Sequence, residues 1–285
     1  AKKISLNLHA EYKNIELRVF ADGESKIRLD NLAKKNCIII HSTYPPTDRH
    51  LMQLFMVIYK CKEDGASNIC VVSPYLAYTR QDKVFVDGEI ITISLVTKIL
   101  ASLGTTKLIT VDSHSPDVLN CSIATIDLTA IPSLSAYVKK NMTINNPIVV
   151  SPDEGGIERA KKFARLINAN ILSLVKTRDR FTDDVSISLS EQLPLKKRTA
   201  LIVEDKISTG TSVIKAIELL KKNNIGDVYV ICTHALLLDD AKEKLLKAGI
   251  KEIISTNSIP NEFAKVDLSS IISDYFLKQR SLFFS

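Results

Sequence analysis

Residues 201–212 read LIVEDKISTGTS, an apolar run that closes on two adjacent acids, Glu204 and Asp205, and opens into a loop of hydroxyl residues and glycine. A strand ending there would present both carboxylates at its edge, and the small residues after it let backbone N–H groups converge on a phosphate. One segment could then grip both the hydroxyls and the phosphate of a sugar phosphate. Val213, Ala216, Ile217 and Leu220 follow at i, i+3, i+4 and i+7, the spacing of a helix face, and the positive end of that helix would point at the loop. An ordinary strand, turn and capped helix with nothing bound uses the same residue types.

Open parallel sheets place ligands outside their strand ends, and other strand ends here carry chemistry too. Residues 151–156, SPDEGG, set Asp153 and Glu154 before two glycines that open a helix. A carboxylate there can hold Mg2+ or sugar hydroxyls, while the glycines admit a ligand close to the backbone. The plain alternative is an acidic helix start favoured by the dipole. At 111–115, VDSHS, Asp112 and His114 lie two apart and share a face if extended, which suits metal or phosphate contact or a structural histidine. Two segments read as mobile basic loops: Tyr78-Thr79-Arg80-Gln81-Asp82-Lys83, running on through Gly88, and Lys176-Thr177-Arg178-Asp179-Arg180. Their cations would neutralise a polyphosphate once water leaves, or simply be solvated.

These segments need a scaffold, and short β-branched runs alternating with helical patterns predict an α/β fold with largely parallel sheets. Strands are expected at 37–40, 69–72, 108–111, 123–126, 148–151, 171–175, 201–203, 228–231 and 253–254. Helix faces are marked by Leu51, Leu54, Phe55 and Ile58, by 91–103, and by Ile157, Ala160, Phe163, Ala164 and Ile167. Residues 17–20 and 27–29 form an earlier hairpin bent at Asp22-Gly23. The polar stretch 139–147, KKNMTINNP, breaks both periodicities and is the expected linker, giving domains 1–142 and 143–285, with the last helix packing on the first domain. Val-Val-Ser-Pro occurs at 71–74 and again at 149–152, each time where a strand would end, as two related halves would have it.

At 285 residues, 45% hydrophobic and 25% charged, the chain has the composition of a soluble globular protein with two cores of ordinary size. Its net charge of +6 is scattered over lysine pairs, and Trp is absent, so no nucleic-acid stripe is present; a small anionic substrate suits the balance equally well. Five cysteines without a C-x-x-C pair argue against a disulfide framework or a zinc site and for a reducing, cytoplasmic setting. No run approaches the ~20 apolar residues that span a bilayer, so no membrane partner is expected.

In order along the chain, FADGE (20–24), HSTYPPTDRHLMQL (41–54), SPYLAYTRQDK (73–83), VDSH (111–114), SPDEGG (151–156), KTR (176–178) and EDKISTGTS (204–212) resemble the ribose-phosphate pyrophosphokinases, in particular their shorter archaeal-type members. The resemblance implies two phosphoribosyltransferase-like domains, each a mainly parallel sheet flanked by helices. It also implies transfer of the diphosphoryl group of ATP to the 1-hydroxyl of ribose 5-phosphate, giving 5-phosphoribosyl 1-diphosphate and AMP for nucleotide biosynthesis. Carried over by position, Phe20, Asp22, Gly23 and Glu24 would wall the adenine pocket of a neighbouring subunit, while Arg80, Gln81 and His114 would contact ATP. His114 and Asp153 match the family's Mg2+ residues. Lys176 matches its catalytic lysine, assisted by Arg178. Glu204, Asp205 and the loop Ser208, Thr209, Gly210, Thr211 and Ser212 would bind ribose 5-phosphate, and a homo-oligomer would complete the ATP site.

The chain departs from that pattern in carrying Glu204-Asp205 for two aspartates, a basic Lys206 for an apolar residue, and Thr211 for a glycine, which disfavours positive φ there. No Gly-x-x-x-x-Gly-Lys is present, so a P-loop kinase is excluded. Two competing readings are a phosphoribosyltransferase that consumes phosphoribosyl diphosphate, which has no use for the FADGE and TRQDK segments, and a non-catalytic nucleotide-binding homologue, which has none for the Lys176–Arg178 pair.

Overall fold

The computed structural model describes residues 1–30, 36–119, 122–178, 185–189 and 194–279, with the backbone alone for 175–178 and 185–189. The chain divides into two compact units, Ala1–Thr129 with Leu268–Ser285, and Ala130–Asp267. The first begins with α1 (Lys2–Leu8) and an antiparallel hairpin of β1 (Glu16–Val19) and β2 (Ser25–Arg28), followed by β3 (Asn36–Ile40), α2 (Thr47–Glu63), β4 (Asn68–Ser73), α3 (Thr92–Ser102), β5 (Lys107–Val111), α4 (Pro116–Leu119) and β6 (Ala124–Leu128). Its four-stranded sheet runs β3-β4-β5-β6, parallel throughout. Helix α2 shows why these elements form. Asp48 in its first turn and Lys60 and Lys62 in its last complement the dipole, and Leu51, Leu54, Val57, Ile58 and Cys61 fall on one buried stripe.

The second unit holds α5 (Ile131–Asn141), β7 (Pro147–Ser151), α6 (Ile157–Ile167), β8 (Asn170–Arg178), β9 (Val185–Leu189), β10 (Thr199–Ile207), α7 (Thr211–Lys222), β11 (Val228–Ala235), α8 (Ala241–Lys247), β12 (Glu252–Thr256) and β13 (Ala264–Val266). Its seven-stranded sheet is ordered β13-β12-β11-β10-β7-β8-β9, with β9 antiparallel to β8. Strands β7, β10 and β11 are apolar on both faces and carry helices over them, as buried parallel strands must. A final helix, α9 (Ser269–Lys278), packs on α1 in the first unit, where Asn7 donates to the Ser273 hydroxyl at 3.1 Å.

The expected linker is revised. Lys139 and Lys140 form the last turn of α5, and Pro147 opens β7. Helix α5 buries Ile131, Leu134 and Val138 and packs against α6, β11 and β13, so the division falls before it rather than after it. Apolar contact on one face outweighs a polar, Pro-containing exit.

Candidate active site

In the second sheet β7 is flanked by β8 on one side and β10 on the other, so the strand order reverses at the β7/β10 pair. A crevice opens at the carboxyl ends of such a pair. The loop after β7 contributes Asp153, and β10 contributes Glu204 and Asp205, which are 7% and 4% exposed. The strand extends beyond its apolar run because the ladder to β11 continues through Glu204↔Cys232 and Lys206↔His234, so the acids sit inside it and not at its tip.

Two buried carboxylates side by side require a countercharge. Arg159, in the first turn of α6, supplies it: one terminal nitrogen lies 3.4 Å from Glu204 Oε2 and the other 3.4 Å from Asp205 Oδ2. Asp205 Oδ1 also accepts the Lys206 N–H at 2.7 Å. Arg159 was not among the residues singled out from the sequence. Its signal was a cation in a helix's first turn, where the dipole disfavours one unless a specific partner is in reach. Close by, Asp153 Oδ1 accepts the Gly156 N–H at 2.9 Å and the Ser151 hydroxyl donates to Asp153 O at 2.7 Å. A Cβ on Gly156 would lie 2.7 Å from Ser151 Oγ and 3.4 Å from an Arg159 nitrogen, so this glycine is required by its own loop.

The loop after β10 is supported from behind. Leu236 and Leu237 N–H donate to Ile207 O and Leu238 N–H to Ser208 O, so the chain leaving β11 straps it in place. That strap is anchored in turn by His234 Nδ1 against Ser258 Oγ at 2.8 Å. Gly210 takes the left-handed conformation, φ 74°, as the residue before α7, and a Cβ there would meet Leu245 at 3.4 Å. Thr211 begins the helix proper, so its side chain costs nothing in backbone strain: the positive φ falls on Gly210. No side-chain hydrogen bond caps α7, and the exposed Thr209, Thr211 and Ser212 surround its N-terminal end.

Lys176 and Arg178 do not lie in a loop as expected. They fall on β8, opposite Ile187 and Val185 of β9, because an antiparallel partner extends the strand past its apolar part. Asp179 and Arg180, the rest of that basic segment, lie outside the described residues.

In the first unit the FADGE segment is the hairpin turn. Phe20 N–H donates to Glu24 O at 2.8 Å, Gly23 N–H to Phe20 O at 3.0 Å, and Asp22 Oδ1 accepts the Glu24 N–H at 3.1 Å. Arg18 stacks over the Phe20 ring, 4.9 Å from its centroid. Residues 78–83 are anchored rather than free: the Tyr78 hydroxyl donates to Asp48 at 2.5 Å, the Thr92 hydroxyl to Gln81 Oε1 at 2.5 Å, and the Ser115 hydroxyl to Asp82. That last bond holds the Asp82 carboxyl below its usual range, with His114 and Lys83 adding charge attraction. The TRQDK and VDSH segments therefore meet, with Arg80 and His114 both exposed.

Among the described residues no three His, Cys, Asp or Glu side chains form a preformed metal cage, and no helix is long and apolar enough to cross a membrane. An exposed Asp153 that uses Oδ1 on its own loop suits Mg2+, which takes one or two carboxylates together with substrate phosphates and water.

Comparison with known proteins matches a family model described as the N-terminal domain of ribose phosphate pyrophosphokinase over residues 1–104, and one described as the phosphoribosyl synthetase-associated domain over 193–274. A ribose-phosphate pyrophosphokinase of Sulfurisphaera tokodaii is 34% identical over 259 residues, covering 90% of this chain and 88% of its own. One of Methanopyrus kandleri is 31% identical, covering 96% and 93%. The crystal structure of phosphoribosylpyrophosphate synthetase from Mycobacterium smegmatis superposes with a TM-score of 0.87 at 25% identity, covering 99% of this chain and 95% of that one.

Proposed function

The chain belongs to the ribose-phosphate pyrophosphokinase family, and from that premise we propose how its residues divide the work. The protein is an enzyme that transfers the diphosphoryl group of ATP to the 1-hydroxyl of ribose 5-phosphate, producing 5-phosphoribosyl 1-diphosphate and AMP. One observation carries the assignment of sites: an acidic pair within the carboxyl half of β10 is followed, one loop later, by an uncapped helix N-terminus, beside the strand pair at which the second sheet reverses its order.

Glu204 and Asp205 accept the ribose hydroxyls, and the N–H groups and hydroxyls of 208–212 hold the 5-phosphate. With the sugar fixed at both ends, its 1-hydroxyl oxygen attacks the β-phosphorus of ATP in line, and positioning with charge neutralisation accounts for most of the acceleration. Lys176 and Arg178 act on the charge that develops on the moving diphosphoryl group and departing AMP. Arg80, Gln81 and His114 bind the nucleotide. His114 in the first unit and Asp153 in the second would each serve as Mg2+ residues, and the ion would supply charge neutralisation for two anionic substrates.

The hairpin turn, Phe20 to Glu24, serves the adenine of a neighbouring copy. In support, Leu17, Val19 and Phe20 are 50%, 39% and 38% exposed, an apolar surface unusual for a two-stranded ribbon facing only water. A homo-oligomer with shared ATP sites follows from this reading. The enzyme works in the cytoplasm, where ATP is at hand and cysteines such as Cys37, Cys61, Cys70 and Cys232 stay reduced. Release of AMP from ATP, measured with and without ribose 5-phosphate, tests the whole assignment: AMP should appear only with the sugar, and release independent of it would refute the reading.

A further inference from the structure

The turn that presents His114 is tied to the neighbouring strand. Asp112 sits at φ 43°, in the left-handed region, which a residue with a side chain rarely adopts unless its surroundings impose the conformation. Two groups of the neighbouring strand impose it. The Asp112 N–H donates to Leu128 O at 2.8 Å, and the Ser113 N–H is shared by both carboxylate oxygens of Asp127, at 3.0 and 3.1 Å. Asp127 is itself fixed by the Thr110 hydroxyl at 2.6 Å, its cross-strand partner in β5. The Ser113 hydroxyl is buried without a partner among the described residues, so the backbone N–H is what Asp127 holds.

We propose that Asp127 is the positioning residue of the ATP side, fixing through the Ser113 N–H the turn from which His114 and Ser115 emerge. The consequence extends beyond His114. Ser115 donates to Asp82, and Asp82 follows Arg80 and Gln81 directly, so one carboxylate on the edge strand β6 sets the placement of two nucleotide-side segments of this unit. A carboxylate is well suited to the task. It accepts from several donors at once, and its bonds to N–H and O–H are stronger than neutral ones. An aspartate in a strand otherwise reading Ala-Thr-Ile-Asp-Leu gains nothing from the core, since burying it costs unless its oxygens are satisfied.

The inference rests on the assignment of His114 to ATP, and the experiment separates the two. Affinities for ATP with Mg2+ and for ribose 5-phosphate are measured by calorimetry on His114→Ala, Asp127→Ala and Asp127→Asn. Asp127→Ala should weaken ATP by about tenfold or more while leaving the sugar within about twofold, because misplacement, not contact, is the defect. Asp127→Asn should restore ATP affinity to within about threefold, since its amide oxygen can accept both bonds now made to Oδ1. If Asp127→Ala does not fold, Asp127→Glu carries the test: it keeps the charge, displaces the turn by a methylene, and should show the same selective loss. Unchanged ATP affinity in His114→Ala would overturn the ATP assignment. A weakened His114→Ala beside an Asp127→Ala or Asp127→Glu that binds ATP normally, or loses both ligands equally, would overturn the role of Asp127.

Discussion

Arg159 is the residue on which the acidic pair depends. Removing it takes away the guanidinium that lies against both buried carboxylates, and breaking a buried pair costs roughly 3–5 kcal/mol. Arg159→Ala should therefore lower the denaturant midpoint substantially, and an unchanged midpoint would show that solvent reaches the pair. Asp127 supplies a pH test. Burial pushes its carboxyl from 3.8 to about 6, assisted by Asp112 and opposed by the Thr110 and Ser113 hydrogen bonds. Between those values the folded chain holds a proton that the unfolded chain has lost, so this group makes stability fall as pH rises through the window. Asp127→Asn should remove that slope, a difference of roughly 1–3 kcal/mol between pH 4 and pH 7 by chemical denaturation. On the proposed division of work, Lys176→Ala should reduce turnover about a hundredfold or more with ATP affinity nearly intact, as expected of a cation acting on transition-state charge. Less than a threefold loss in steady-state kinetics would remove Lys176 from the mechanism.

Among the elements, α7 was the most legible. Val213, Ala216, Ile217 and Leu220 are its buried stripe because 3.6-residue periodicity is written in the sequence itself. Strand β8 was less legible. Lys-Thr-Arg carries no apolar alternation, and its strand character comes from β9, a partner that local sequence cannot announce. The Arg159 clasp and the Asp127 anchor were hidden for the same reason, since each joins elements far apart in the chain. Thr211 shows the reverse. The sequence raised a concern about positive φ, and the helix start resolves it by assigning that conformation to Gly210. Gly210→Ala should thus cost about 1 kcal/mol in backbone strain and weaken ribose 5-phosphate far more than ATP. Equal effects on the two ligands by calorimetry would contradict the assignment of this loop.

At the scale of the whole chain, the repeated Val-Val-Ser-Pro is a repeated structure. In the first unit the Ser73 hydroxyl donates to Tyr75 O, and in the second the Ser151 hydroxyl donates to Asp153 O, each bending the chain two residues beyond a parallel strand. The alternation of strands and helices made the α/β class legible, but the division before α5 was not, because that helix declares its unit by packing and not by composition. If the hairpin turn of one copy completes the nucleotide site of another, specific activity should fall as the protein is diluted into monomers. Equal specific activity for monomer and oligomer, with mass established by sedimentation, would rule this out.

The clasp of Arg159 has a consequence for how the sugar site is loaded. With Glu204 and Asp205 sharing one tethered guanidinium, about half of the pair's charge is already offset before a ligand arrives. Entry of a ligand is an exchange, in which each new bond to a carboxylate displaces or loosens one to Arg159. On the proposed assignment the gain per contact is correspondingly reduced, which leaves more of the hold on the sugar to its phosphate end. The full chain should also keep its thermal midpoint in the presence of a strong chelator, unlike a protein whose buried acids need a divalent ion to be tolerated.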